Sequence, residues 1–300
     1  MISLKQVHYA LAVERHLHFR RAAEECNISQ STLSTALAEM EKQLGFQIFE
    51  RDNRKVLVTP LGEQVLERAR SIELQMEDLN KLADSQREPL STPLSVGVIP
   101  TIGPYLLPCV LPALQRQYPE LKLNIVEDQT ADVLEQLRRG ALDAAIIALP
   151  YDCDGLLTFT FWQEDLLWIV RADDESAGVE RARVDDLART HLMLLKDGHC
   201  LTEHALSACK LENASTHSFS ATSLSTLIQL VIGKIGSTLV PEIALEQLVD
   251  GNAELASIPL EETGPHRKLA VAIRPNYPGM ANVEALVRLF REELNRTVTH

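Results

Sequence analysis

No run of apolar residues in this 300-residue chain approaches the length of a membrane span. The longest, such as Ala144 to Pro150, fall far short of the about 20 residues that cross a bilayer, so a membrane protein is not expected. The first residues, Met1-Ile2-Ser3-Leu4-Lys5-Gln6-Val7, lack the apolar core and small-residue cleavage site of an export signal, and a cytoplasmic location is the expectation. Cysteine is sparse. The five residues Cys26, Cys109, Cys153, Cys200 and Cys209 should be thiols in a reducing compartment unless one pair is catalytic or redox-sensing. Positive charge is short as well: 29 Lys and Arg stand against 42 Asp and Glu, a net charge of −13. Alone, that argues against a nucleic-acid partner, but the deficit is uneven. Residues 1–60 hold eight Lys/Arg and seven Asp/Glu, a balance of +1 that leaves −14 for the rest. Such asymmetry permits a DNA-contacting end on an acidic body. The apolar fraction of 45% and charged fraction of 24% are those of an ordinary globular protein, and the length suits about two domains.

Helical spacing opens the chain. Leu4, Val7, Ala10 and Leu11 give a first helix, and Phe19, Ala22, Ala23 and Cys26 a second. Leu33, Leu37, Met40 and Leu44 mark one face of a third, closed by Gly45 as a C-cap. The break at Asn27-Ile28-Ser29 makes a helix-turn-helix over about residues 19–38, whose second helix can enter a major groove. Gln30, Ser31, Thr32, Ser34 and Thr35 cluster at the start of that helix and can hydrogen-bond base edges or phosphates. Arg20, Arg21, Arg51, Arg54 and Lys55 flank them and suit the phosphate backbone. Singly, each of these reads equally well as solvated surface. Cys26 falls on the apolar face as a small core residue.

Several short motifs occur in order: Phe19-Arg20-Arg21-Ala22-Ala23, Ser29-Gln30-Ser31-Thr32-Leu33-Ser34, Met40-Glu41-Lys42-Gln43-Leu44-Gly45, Phe49-Glu50-Arg51 and Leu57-Val58-Thr59-Pro60-Leu61-Gly62. Together they resemble the winged helix-turn-helix of LysR-type transcriptional regulators. The resemblance implies a wing after the third helix and double-stranded operator DNA as partner. Ser31 stands where the family usually has proline and Thr35 where arginine is common, so the base-reading set is expected to differ.

Val65, Ala69, Ile72, Met76, Leu79 and Ala83 step alternately by four and three, a heptad seam. A second copy of the helix covers such a stripe most economically, giving a two-fold dimer; packing on the chain's own domain is the alternative. Ser85 to Pro93 is polar and reads as a linker. Strands at Leu94–Ile99, Leu123–Val126 and Ala144–Leu149 then alternate with helices, Thr130 being placed as the N-cap of one that runs to Arg139. This pattern argues for a largely parallel sheet. Leu192–Leu195 and Ser237–Val240 supply a second set of strands, and Leu269–Ile273 returns to the first.

The expected fold class is α plus α/β. A winged helix-turn-helix takes residues 1–60, and a dimerisation linker helix with hinge takes 61–90. A regulatory domain over 91–300 follows, lobe I at about 91–165 and 269–300 and lobe II at about 166–268. The last part resembles the two-lobed, periplasmic-binding-protein-like effector domain of the same family, so the resemblance spans essentially the whole chain. Thr101, Thr130 and Ser223 fall at strand-to-helix turns, where open sheets bind ligands; each also reads as an ordinary cap.

Ile99-Pro100-Thr101-Ile102-Gly103-Pro104-Tyr105-Leu106-Leu107-Pro108, Leu194 through Leu201, and Ala221-Thr222-Ser223-Leu224 sharpen the resemblance to the hydrogen peroxide-sensing activators of that family. It implies that Cys200 and Cys209 are the redox-active pair and that Thr101, Thr130 and His199 help hold peroxide. It further implies Arg274 as a nearby cation, with Glu203 (aspartate in the family) and Ser223 extending the pocket. The implied partners are hydrogen peroxide, operator DNA, RNA polymerase and a thiol reductant that resets the pair. The implied assembly is a homodimer through the linker helix and a homotetramer through the regulatory domains, with no cofactor, no metal and no enzyme activity.

The chemistry has its own requirements. A thiolate attacks peroxide and becomes a sulfenic acid, which a second thiol resolves to a disulfide. The attacking thiol needs a lowered pKa. His199, Lys196 and a helix beginning at Leu201 are the candidate causes, making Cys200 the peroxidatic residue and Cys209 the resolving one. In a straight helix nine residues span about 13.5 Å, whereas disulfide-bonded Cα atoms lie roughly 4.4–6.8 Å apart. If the reduced segment is helical, bonding must rebuild it. Four alternatives stand beside this. One is zinc on His199, Cys200, His204 and Cys209, a spacing that matches no common finger, and another is a pair of structural thiols. The others are a LysR-type regulator of a small organic effector and a thiol peroxidase, which the DNA-binding motifs oppose.

Overall fold

The computed structural model describes residues 1–52, 55–84, 88–196, 198–208 and 221–298. They form two compact units, Met1–Asp84 and Ser85–His300. No helix among the described residues is long and apolar enough to cross a membrane.

The first unit contains α1 (Leu4–His16), α2 (Phe19–Glu25), α3 (Gln30–Leu44), strands β1 (Phe49–Asp52) and β2 (Lys55–Val58), and α4 (Pro60–Asp84). Caps fix the helix starts. Ser3 and Gln6 form a reciprocal capping box on α1, and the Ser29 hydroxyl accepts the Thr32 N–H on α3. Gly45, at φ 82°, ends α3. Val7, Ala10, Leu11, Ala22, Ala23, Leu33, Leu37 and Met40 make the core, with Phe19 edge-on to Phe49 at 6.2 Å. Leu4, assigned to the apolar face by spacing, is 52% exposed: it is the first residue of α1, one turn short of the packed stretch. Along α4, Leu66 and Ala69 are buried against this core, whereas Ile72, Met76 and Leu79 are exposed. The seam is thus covered only in its first turns.

In chain order the second unit holds β3 (Leu94–Val98), α5 (Gly103–Gln117), β4 (Leu123–Glu127), α6 (Thr130–Arg138), β5 (Ala144–Leu149), β6 (Leu157–Glu164), β7 (Leu166–Arg171) and α7 (Val184–Arg189). It continues with β8 (Leu192–Met193), α8 (Cys200–Ala208), α9 (Leu224–Ile232), β9 (Ser237–Pro241), α10 (Leu245–Leu248), β10 (Leu255–Pro259), β11 (Arg267–Ile273) and α11 (Met280–Val298). One sheet, lobe I, has the order β4-β3-β5-β11-β6; the other, lobe II, has β10-β7-β9-β8. The chain passes from the first sheet to the second at Asp165 and returns between Pro259 and Arg267.

The parallel expectation holds for β4-β3-β5, but β11 runs antiparallel to both β5 and β6. Among the described strands of lobe II, β8 and β9 pair parallel, while β7 pairs antiparallel with both β9 and β10. The expectation rested on strands alternating with helices. It missed β6, β7 and β10, of which β6 and β7 follow each other with no helix between them. This topology sets the site. The carboxyl ends of β3, β4 and β5 lead to Thr101, Thr130 and Pro150, and antiparallel β11 starts at the same edge, at Arg267.

Candidate redox site and DNA-facing surface

Cys200 is the first residue of α8 and is 2% exposed. One hydroxyl and one cation reach it from the edge of lobe I. Thr130 is the first residue of α6, not its N-cap; Gln129 occupies the cap position and makes no side-chain cap bond. The Thr130 hydroxyl is therefore spared from capping. It hydrogen-bonds the Cys200 sulfur, an interaction that favours thiolate. Gly198 permits this approach. At φ +97° it adopts a backbone that L side chains rarely take, and a Cβ there would meet the Gln129 Oε1 at 2.4 Å. The start of α8 can thus lie directly on the start of α6.

The cation is Arg267. Its side chain is wholly buried and donates through Nε to Glu164 Oε1 at 2.7 Å, through one amino group to the Thr101 hydroxyl at 3.2 Å, and through the other to the Thr101 carbonyl at 3.1 Å. Glu164 Oε2 in turn accepts the Ile243 N–H at 2.8 Å. This fully bonded ion pair holds a fixed positive charge that favours the thiolate of Cys200. Arg274, expected in this role, lies at the opposite edge of the sheet. It donates to the carbonyls of Leu137 and Leu142 at 3.1 and 2.8 Å and sits over the Tyr277 ring. The reason is strand direction: β11 runs away from the site, so its first residue is at the mouth and the residue after its last is not.

Electrostatics depart from the sequence expectation. Burial pushes the Cys200 thiol up, and nearby Glu203 adds to this; Thr130, Arg267 and the residue's own backbone N–H oppose without overcoming it. The resting thiol is protonated at neutral pH. His199, 7% exposed, is held below its ordinary value first by burial and then by Lys196, so it is a neutral ring and not the activating cation. Glu203 is exposed on α8. Ser223 caps α9, its hydroxyl accepting the Thr226 N–H at 3.3 Å and lying 3.0 Å from the Thr226 hydroxyl. Cys209 lies outside the described residues; the segment leading to it is helical through Ala208. Cys26, Cys109, Cys153 and Cys200 are free thiols, and burial raises each. Among the described residues, no group of three or more His, Cys, Asp or Glu is arranged to hold a metal ion.

Thr130→Val is expected to slow peroxide oxidation of Cys200 about tenfold at neutral pH, the scale of one hydrogen bond to a charged group. Competition kinetics with peroxide check this, and the deficit should shrink as alkaline pH ionises the thiol directly.

On the first unit, Arg20, Arg21, Gln30, Ser31, Thr32, Thr35 and Lys55 are exposed and Ser34 is half-buried. Arg20 pairs with Glu24 at 3.1 Å. The Ser31 and Thr32 hydroxyls lie 2.9 and 2.8 Å from the Ser29 cap hydroxyl, so they also belong to the α3 cap. Arg51 ends its motif on β1, and Arg54 lies outside the described residues.

Comparison with known proteins places both units. Residues 4–63 match the bacterial regulatory helix-turn-helix protein, lysR family, and residues 87–295 match the LysR substrate binding domain. A hydrogen peroxide-inducible genes activator of Dickeya chrysanthemi is 37% identical over 297 residues, covering 98% of this chain and 96% of the relative. The HTH-type transcriptional regulator EstR of Acinetobacter baylyi is also 37% identical, over 291 residues and 96% of each chain. A mutant of Corynebacterium glutamicum OxyR, solved with hydrogen peroxide bound, superposes with a TM-score of 0.69 at 33% identity, covering 100% of this chain and 94% of that one. The chain belongs to the LysR family of bacterial helix-turn-helix transcriptional regulators.

Proposed function

We propose that this regulator senses hydrogen peroxide through Cys200 and changes its operator contacts in response. The observation that carries the reading is a cysteine at a helix start, with the Thr130 hydroxyl on its sulfur and the Arg267 charge beside it. In the proposed reaction the Cys200 sulfur attacks one peroxide oxygen and the O–O bond breaks. The departing hydroxide takes the thiol proton and leaves as water. Cys200 sulfenic acid then reacts with the Cys209 thiol, forming the S–S bond and releasing a second water. Because thiolate is the nucleophile, Thr130 and Arg267 raise the reactive fraction of a thiol that burial holds protonated. A helix over Cys200–Ala208 must be rebuilt for the bond to close, and that rebuilding is the signal passed to the DNA-binding units.

In this reading α3 enters the major groove, α4 pairs two copies through Ile72, Met76 and Leu79, and the regulatory domains complete a tetramer. The protein works in the cytoplasm on double-stranded DNA and RNA polymerase, is reset by a thiol reductant, and is not itself an enzyme. Leu79→Glu is expected to weaken self-association at least tenfold, because an unpaired charge at a desolvated seam costs more than about 1.4 kcal/mol; sedimentation velocity checks it.

The test is mass mapping after stoichiometric peroxide, run beside operator footprinting. A Cys200–Cys209 bridge with a changed footprint supports the reading. An unchanged thiol count overturns it and favours a regulator of a small organic effector.

A further inference from the structure

Helix α8 packs into both cores of the regulatory unit. Cys200 belongs to the lobe I cluster, whereas Leu201 and Ala205 belong to that of lobe II. Two side chains in its middle bond outward to backbone carbonyls. Thr202 Oγ1 donates to the Leu195 carbonyl at 2.9 Å, just beyond β8 in lobe II. His204 Nε2 lies 2.8 Å from the Pro150 carbonyl, just beyond β5 in lobe I. Cys200 and His204 are four residues apart, one turn on the same helix face. A single stripe of α8 therefore faces lobe I with the reactive sulfur at one end and this imidazole at the other.

A carbonyl oxygen only accepts, so Nε2 carries the proton and donates it. The residue is 3% exposed, and Nδ1, also buried, meets no partner among the described residues. Protonating Nδ1 would bury a cation whose second N–H has no acceptor. The groups facing the ring are the Pro150 carbonyl from the loop after β5, Arg267 from β11 and Glu203 from α8 itself. Burial is the largest influence and Arg267 reinforces it; the Pro150 carbonyl and Glu203 oppose, and the imidazole ends below its ordinary value.

We propose that His204 is a positioning residue for the peroxide reaction: its bond to Pro150 holds α8, and with it Cys200, against lobe I in the reduced protein and must break before Cys200 meets its resolving partner. This rests on the reading of Cys200 as the peroxidatic thiol. A pH linkage follows. The released ring binds a proton more readily than the held one, so the held form is fully favoured above the ordinary histidine value of about 6.5 and loses ground as pH falls below it.

The test uses the full reduced chain, with hydrogen–deuterium exchange of α8 and stopped-flow disulfide formation after stoichiometric peroxide, between about pH 5.5 and 8. His204→Leu is expected to speed both α8 exchange and the resolving step about 3- to 10-fold, the scale of one net hydrogen bond. It should also remove the acid-side rise that the parent shows relative to it. His204→Gln, which retains a donor for the carbonyl but cannot titrate, should restore the slow exchange and resolution of the parent at neutral pH without its acid-side rise. Formation of sulfenic acid in a Cys209→Ser background should change less than the resolving step. If His204→Leu leaves exchange and resolution unaltered while the parent still forms its disulfide, the positioning role fails and the peroxide reading survives. If the parent forms neither sulfenic acid nor disulfide, both fall. Should the leucine variant not fold, nitrogen-15 NMR of the parent decides: a neutral Nε2–H ring throughout this range supports the proposal, and an ordinary titration or an Nδ1–H tautomer overturns it.

Discussion

Cys200→Ser is expected to abolish the peroxide response outright. Serine keeps the volume of the site and the Thr130 contact, but its hydroxyl has no accessible sulfenic chemistry, so neither the first oxidation nor the disulfide can form. Operator footprints taken with and without peroxide should be identical, and the remaining thiols should survive a stoichiometric dose. Cys209→Ser should behave differently, retaining sulfenic acid at Cys200 and a partial footprint change. The pair of variants separates a two-step thiol sensor from a metabolite sensor, in which both substitutions would leave effector-dependent footprints intact. A footprint that still responds to peroxide in Cys200→Ser would sink the assignment.

Arg267→Met should have the largest effect on stability. The Arg267–Glu164 pair is wholly buried, and Arg267 also donates to both oxygens of Thr101. Removing the cation strands the Glu164 carboxylate, and breaking such a buried pair from one side costs about 3–5 kcal/mol, measurable as a lower urea midpoint. The substitution also strips the positive charge that favours Cys200 thiolate, so peroxide oxidation of whatever remains folded should slow about tenfold or more. A double variant, Arg267→Met with Glu164→Leu, removes the stranded charge. It should recover much of the stability without recovering the oxidation rate. Recovery of both would make Arg267 purely structural.

Elements set by local pattern are legible from the chain alone. The three helices before Gly45, the heptad seam and strands β3, β4, β5, β9 and β11 each follow from spacing and caps. Thr101 and Thr130 are readable too, because each lies at a strand-to-helix turn, Thr130 as the first residue of its helix. Arg267 is not. In Gly264-Pro265-His266-Arg267-Lys268 it reads as one more solvated base, while its partner Glu164 stands 103 residues away. Only the antiparallel register of β11 on β5 brings it to the mouth and carries Arg274 away. A signal was present: a returning strand that runs against its neighbours presents its first residue, not its last, at their carboxyl edge. Nor does the chain reveal burial. A histidine beside a cysteine suggests activation, yet desolvation holds His199 neutral and Cys200 protonated.

The 2% exposure of Cys200 has one more consequence. A sulfur so enclosed is expected to favour small oxidants over bulky alkylating agents, glutathione and protein thiols, which reaction rates with reagents of graded size would check. The proposed rearrangement rebuilds the helix that encloses this sulfur, and the bonded form is then expected to be open to a bulky reductant. The regulator would then be written by small molecules and erased by large ones, through different doors, and its set state could not be reversed by the route that set it.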